Sequence, residues 1–217
     1  MALQQSCKRI VPIILLLVLT GCGRMFNAMY GLHFYKKEVP QVQIDRMRDR
    51  LGLPETNDYY LAETYYDTVK AIVDPNERLQ QALLQPLQLR YFNKDGELVS
   101  MVANCHVGGF PNLKWDRFHI ADSLPIRRTA FLDSLWTLGS DAAFLRPYDG
   151  TSPLDQQVGE YHVNVYWSYR MGRQFKRLKR TVDEMQERHG NKVTVWYVNI
   201  DALYKRIEDK ASASADL

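Results

Sequence analysis

The chain has 217 residues, 46% of them hydrophobic and 24% charged, with a formal net charge of +3. That length suits one domain, or one domain with an extension, and the apolar content is ample for a core. The histidines (His33, His106, His119, His162 and His189) are scattered without ligand spacing or a paired cysteine set, which excludes a recognisable metal centre. No Gly-x-Ser-x-Gly, His-Glu-x-x-His or GxGxxG signature is present, and nothing points to a cofactor.

Met1 to Gly21 reads as a targeting segment. Lys8 and Arg9 form a short positive region, and Ile10 to Leu19 is an apolar run too short to span a bilayer as a helix. The tetrapeptide Leu19-Thr20-Gly21-Cys22 resembles the lipobox of bacterial lipoproteins. The resemblance implies cleavage before Cys22, acylation of that residue, and a membrane-anchored, periplasm-facing place in the bacterial cell envelope. An uncleaved anchor or an ordinary secretory signal is the alternative. Two or more acyl chains, at ~0.8 kcal/mol per buried CH₂, give a stable anchor without a transmembrane helix. Loss of Lys8 and Arg9 lowers the formal charge from +3 to +1, and Cys105 becomes the only thiol, so no intramolecular disulfide can form. Export also separates the protein from nucleic acid.

Residues 22–40 read as a tether, without helical or alternating period and closed by Pro40. At ~3.3 Å per residue it could reach some ~60 Å from the membrane. Residues 41–85 read as a helical extension. An amphipathic helix is expected over Gln41 to Leu51, with Val42, Ile44, Met47 and Leu51 apolar and Gly52 and Pro54 as stops. A second helical region is expected from Tyr59 to Val73, and a third from Asp74 through Leu84, with Pro75 suited to its first turn. The tyrosines at 59, 60, 65 and 66 could stack on a sugar; packing is the preferred reading.

Residues 86–210 read as an α/β domain. Gln85 to Val102 has the pattern of a hairpin, two β-like runs joined by Asn93-Lys94-Asp95-Gly96. The irregular stretch from Asn104 to Trp115 follows, then a helix from about Arg127 to Leu138 and a loop-rich connection from Gly139 to Gly159. Cys105 beside His106 invites a nucleophile-and-base reading. Neighbours on a strand point to opposite faces, however, and a lone thiol is more often a small buried hydrophobe.

Tyr161 to Asp201 reads as strand, helix, strand, with Phe175, Leu178, Val182 and Met185 as the apolar stripe of the helix. Such a helix returns the chain to a parallel neighbour, so this is a βαβ unit. The unit, with Val165-Tyr166-Trp167-Ser168 leading into the helix and Asn199-Ile200-Asp201 closing it, resembles the first half of a thioredoxin. Pro86, the hairpin and the helix after it resemble the second half, where a cis-proline precedes the hairpin. The implied fold class is an α/β, thioredoxin-like mixed sheet in permuted order, hairpin and helix before βαβ; an unrelated mixed sheet is the other reading. Where the family carries Cys-x-x-Cys the chain has Met171-Gly172-Arg173-Gln174, so the dithiol chemistry is absent. A terminal helix from Leu203 to Lys210 and a polar tail, 211–217, end the chain.

One chemical anomaly remains, in the helix after Gly172. Successive residues turn by about 100°, which puts Arg173, Lys176, Arg177 and Arg180 opposite the apolar stripe, with Arg170 just before them. Asp183, Glu184 and Glu187 come later, an order that opposes the helix dipole. Bases around a helix N-terminus form a candidate anion site for lipid headgroups or an acidic envelope protein. The plainer reading is a solvated face held by Lys179/Asp183, Arg180/Glu184 and Glu184/Arg188 pairs. Two function classes follow: a membrane-anchored, non-catalytic binding or assembly module, or a thiol-dependent redox enzyme using Cys105.

Overall fold

Tyr161–Trp167 and Val193–Asn199, the two β-rich runs, do form parallel strands, and Gly172–His189 between them is the crossover helix. The computed structural model describes residues 27–33, 38–72, 78–110, 112–119, 121–125, 136–148, 150 and 159–215. In chain order these form α1 (Gln41–Leu51), β1 (Asp58–Leu61), α2 (Thr64–Ala71), α3 (Arg78–Leu83), β2 (Gln88–Asn93), β3 (Leu98–Ala103) and the short α4 (Asn104–Val107). Then come α5 (Leu138–Ala142), β4 (Leu145–Pro147), β5 (Tyr161–Trp167), α6 (Gly172–His189), β6 (Val193–Asn199) and α7 (Asp201–Ala215).

The sheet runs β3-β2-β5-β6-β1-β4. The β2/β3 hairpin lies antiparallel against β5, the first strand of the βαβ unit. Both halves of the thioredoxin resemblance therefore share one mixed sheet, with the hairpin earlier in the chain. Pro86 departs from the resemblance: the cis peptide among the described residues is Leu124–Pro125, and Gln85–Pro86 is trans. Of the helix expected over 127–138, residues 127–135 lie outside the described residues. Leu138 begins a helix rather than ending one, because Thr137 caps α5: its Oγ1 accepts from the Ser140 N–H at 3.1 Å, and Ser140 Oγ accepts from the Thr137 N–H at 3.3 Å.

The 41–85 segment is helical at α1, α2 and α3, and α1 ends at Leu51 as the Gly52 stop predicts, with Gly52 in the left-handed conformation. It is also part of the sheet. Asp58-Tyr59-Tyr60-Leu61 form β1, parallel to β6, where a helix was expected; aromatic residues suit a pleated surface, and β6 offers it a free edge. The connection over 139–159 supplies β4, which pairs antiparallel with β1. Tyr59 and Tyr65 are buried, in accord with packing, while Tyr60 is exposed and meets Tyr148 edge-on at 5.5 Å. α7 extends past Lys210 into the stretch read as a polar tail.

Each face of the sheet carries its own apolar layer. Phe175, Leu178, Val182 and Met185 of α6, with Ile44 of α1, cover Leu89, Val163, Val165 and Val195. Trp167 stacks on Phe175 at 4.7 Å and pins the head of α6 to β5. Burying those four α6 side chains contributes ~1.5–3 kcal/mol each. The other face packs under α2, α3 and α7, with Tyr59, Tyr65, Leu83, Tyr166, Trp196 and Leu203.

That second layer is built around a charge. Arg90 of β2 is fully buried. Its guanidinium donates through Nη1 to Asp141 Oδ1 (2.5 Å) and Tyr166 Oη (3.1 Å), and through Nη2 to Tyr65 Oη (2.6 Å) and Gln88 Oε1 (2.8 Å). Nε donates to Gln88 Oε1 at 3.1 Å. Asp141 also accepts from Trp136 Nε1 (2.6 Å) and Asn164 Nδ2 (2.8 Å), and Asn164 Oδ1 meets His162 Nε2 at 3.0 Å. Every donor of the guanidinium is thus engaged, the condition under which a buried ion pair is tolerable. His162 lies against Trp196, ring centroids 3.6 Å apart, and burial pushes its imidazole down to about 3.

Removing one partner leaves a bare buried charge, so Asp141→Leu should cost ~3–5 kcal/mol in chemical denaturation. The Arg90→Met/Asp141→Leu double variant should cost less than Asp141→Leu alone, because no charge is then stranded. His162 makes stability fall on the acid side. Below an ordinary imidazole value of 6.5 the unfolded chain takes up a proton that the folded chain refuses until about 3, so stability is lost as pH falls across that window. The slope from this group is ~1.4 kcal/mol per pH unit. Asp58, which burial lifts to about 6, acts in the opposite direction but with a smaller displacement. Denaturation midpoints measured against pH should therefore show a flatter acid limb for His162→Gln than for the native chain.

Candidate functional site: a cationic groove between two helices

The C-terminal ends of β5 and β6 set the position of the turn that launches α6. Asp201 accepts from Ser168 Oγ at 2.6 Å, from the Tyr169 N–H at 2.8 Å and from Asn199 Nδ2 at 2.8 Å. Its carboxyl is raised by burial, partly offset by those donors. The Asn199-x-Asp201 pair is thus a clamp on the turn. Ser168 in turn accepts from the Arg170 N–H at 3.1 Å, and the chain enters α6 at Gly172.

Residues 27–33 lie across this point. The His33 N–H donates to Arg170 O (2.8 Å), the Arg173 N–H to Gly31 O (3.3 Å), and Arg173 Nη1 to Met29 O (2.8 Å). Leu32 is buried in the core, and the His33 ring stacks on Tyr169 at 5.0 Å. The two positions where thioredoxins carry cysteines are both buried. Gln174 uses its amide to tie down two covering segments, donating to Tyr30 O and accepting from the Leu113 N–H, each at 3.0 Å. Met171 is core. Both positions are structural in this chain.

Beside this cover runs a groove. Its first part, about 510 Å³, lies between Arg46, Met47 and Arg50 of α1 and Tyr169, Arg173 and Lys176 at the head of α6. It continues into a space of about 360 Å³ where Arg50 faces Arg177, Lys179 and Arg180. Asp183 is the carboxylate lining it, and that group is bonded to Lys179 Nζ at 2.8 Å. Arg180 reaches Glu184 only at 4.0 Å. Arg46, Arg50, Lys176 and Arg177 have no carboxylate within salt-bridge distance among the described residues.

The predicted cations divide. Arg173, Lys176, Arg177 and Arg180 do share one open face. Arg170 does not: it is buried, paired with Glu208 at 2.5 Å and set over the Tyr204 ring, so it holds α7 in place instead. At the helix N-terminus the Arg173 N–H is not free for an anion either, since it donates to the Gly31 carbonyl. Of the expected pairs, Lys179/Asp183 and Arg180/Glu184 form, whereas Arg188 turns to Asp122. Cys22 lies outside the described residues. Cys105 is exposed as a residue, yet its sulfur is partly desolvated, which pushes the thiol above its ordinary value and disfavours thiolate. Among the described residues no His, Cys, Asp and Glu cluster could hold a metal, and no helix is long and apolar enough to cross a membrane.

No protein-family model, curated protein or solved structure matches the chain.

Sequence reasoning missed the opposite wall. Arg46 and Arg50 are spaced i, i+4 on α1, which shows that they share a face but not that the face meets α6. It also missed the docking of residues 27–33, within the stretch read as a tether. The signal was Gly31 and Gly172: each lies at positive φ, and a Cβ on Gly172 would stand 2.0 Å from Gly31 O. Gly172→Ala should therefore lift the 27–33 segment. Hydrogen exchange should show lost protection at His33 and Arg173 with the β5 and β6 amides unchanged; Gly139→Ala, whose Cβ meets nothing closer than 3.6 Å, should leave all of them protected.

Proposed function

We propose that the protein is a lipid-anchored, non-catalytic binding or assembly module of the bacterial cell envelope, and that the groove between α1 and α6 receives an anionic group. The observation that carries this reading is the convergence of Arg46 and Arg50 with Arg173, Lys176, Arg177 and Arg180 around a space with little acidic compensation. Like charges gathered in a concave, partly desolvated site repel one another, and an anion relieves the repulsion while gaining charge-assisted hydrogen bonds. Arginine predominates there, and its planar fork suits phosphate and carboxylate oxygens. Thiol chemistry finds no comparable support: Met171 and Gln174 occupy the dithiol positions, and desolvation holds Cys105 in the thiol form.

The test is retention on phosphocellulose of the native chain, of Arg173→Gln/Lys176→Gln/Arg177→Gln/Arg180→Gln, and of a charge-matched control with Lys70, Lys94, Arg146 and Lys192 changed to Gln. The groove variant should elute at clearly lower salt than the control. Equal elution of the two variants would show that only net charge is being read, and the groove would lose its role.

A further inference from the structure

We infer that the occupant of the groove is the anionic phospholipid headgroup layer of the membrane that holds the chain's own lipid. This rests on the reading above, to which it adds the identity of the partner and the orientation of the domain on it.

The first argument is the length of the leash. Asn27, in the segment that docks on α6, is five residues past Cys22, so the lipid can lie no more than ~17 Å from it at ~3.3 Å per residue. That segment runs along the groove: Gly31 and His33 line it, and Arg173 holds Met29 O. The surface nearest the anchor is thus the cationic one. A tether of the length read from sequence would have left every face of the domain equally free to meet the membrane.

The second argument is the distribution of apolar side chains. The exposed large hydrophobics of the described residues are Met29, Val42, Tyr60 and Phe110. Met29 sits beside Arg173. Val42 lies four residues, about one turn, before Arg46 on α1. Phe110, 59% exposed, belongs to the loop that Leu113 ties to Gln174 at the head of α6. Exposed apolar groups among cations are what an interfacial surface presents, the apolar groups entering the acyl boundary and the cations meeting phosphate.

The third argument is polarity along α6. Cations without any carboxylate fill its first half, against the preference of the helix dipole, and Asp183, Glu184 and Glu187 follow before a last turn that carries His189 and Arg188, the latter paired with Asp122. An anionic membrane attracts the head of α6 more than its middle, so this costly order sets an orientation.

Sedimentation with vesicles tests this, using the chain from residue 22 onward with Cys22→Ser, so that no acyl chain contributes. Vesicles of about one-third phosphatidylglycerol in phosphatidylcholine should bind it, pure phosphatidylcholine should not, and high salt should release it. Each cation near such a surface is worth ~5-fold in affinity, so the groove quadruple variant should bind at least ~100-fold more weakly. Arg46→Gln/Arg50→Gln should lose ~25-fold. Met29→Ser/Phe110→Ser should weaken binding with no change in phosphocellulose retention. Of the substituted cations and apolar residues Arg177 is half-buried and the others are exposed, and unchanged unfolding midpoints confirm intact folding. Equal binding to both vesicle types, or by the quadruple variant, overturns the inference. Groove-dependent phosphocellulose retention without vesicle binding also overturns it and leaves the proposed function standing, with a soluble anion or acidic protein as partner. Loss of both overturns both.

Discussion

A guanidinium shut away from water sets the terms for this fold. Arg90 cannot lose its charge, so its position on β2 obliges the chain to bring acceptors to it from elsewhere. They come from five places: Tyr166 on β5, Asp141 on α5, Tyr65 on α2, the Leu83 carbonyl of α3 and Gln88 two residues away. The hairpin, the βαβ unit and the helical segment before them are thereby tied to a single charge. None of the three can move without stranding it, and a stranded ion in a low-dielectric interior costs several kcal/mol. That is the physical reason residues 41–85 belong to the domain.

The same accounting separates the two ends of the molecule. Around Arg90 every cation has its acceptor and no solvent. Around α1 and the head of α6 the cations face one another across open space. Both arrangements carry an electrostatic cost. In the first, a carboxylate and aromatic hydroxyls offset it internally. In the second, few carboxylates offset it internally, and the cost falls to solvent and counterions or to the anion proposed above.

The parts of the fold that were legible in the sequence are those governed by local periodicity. The α6 stripe, the two strands around it and the Asp95-Gly96 hairpin each repeat at a period that only one element type satisfies. β1 was not legible, because four residues flow directly into a helix and their tyrosines fit either pattern. β4 is three residues long and has no period at all. Arg90 and Gln88 alternate with Leu89 as a solvent-facing row would, and only the second helical layer shows that their face is closed. In the groove, the α6 cations were readable as a helix face. Their exposure, the buried fate of Arg170 and the facing arginines of α1 depend on packing that no spacing encodes.

The closed head of α6 and the groove beside it are connected through one short stretch. A thiol at the head of α6 would need access to solvent and a helix N-terminus free to stabilise thiolate. Here the Arg173 N–H at that N-terminus donates to Gly31 O, Gln174 fastens the cover, and the Gly31–Gly172 contact leaves no room for a side chain. The same crossing lays residues 27–33 along the head of α6, where Arg173 and Lys176 stand across from Arg46 and Arg50. The structural requirement on the glycine pair and the electrostatic character of the groove are thus two consequences of one backbone crossing, and a change that opened the first would disperse the second.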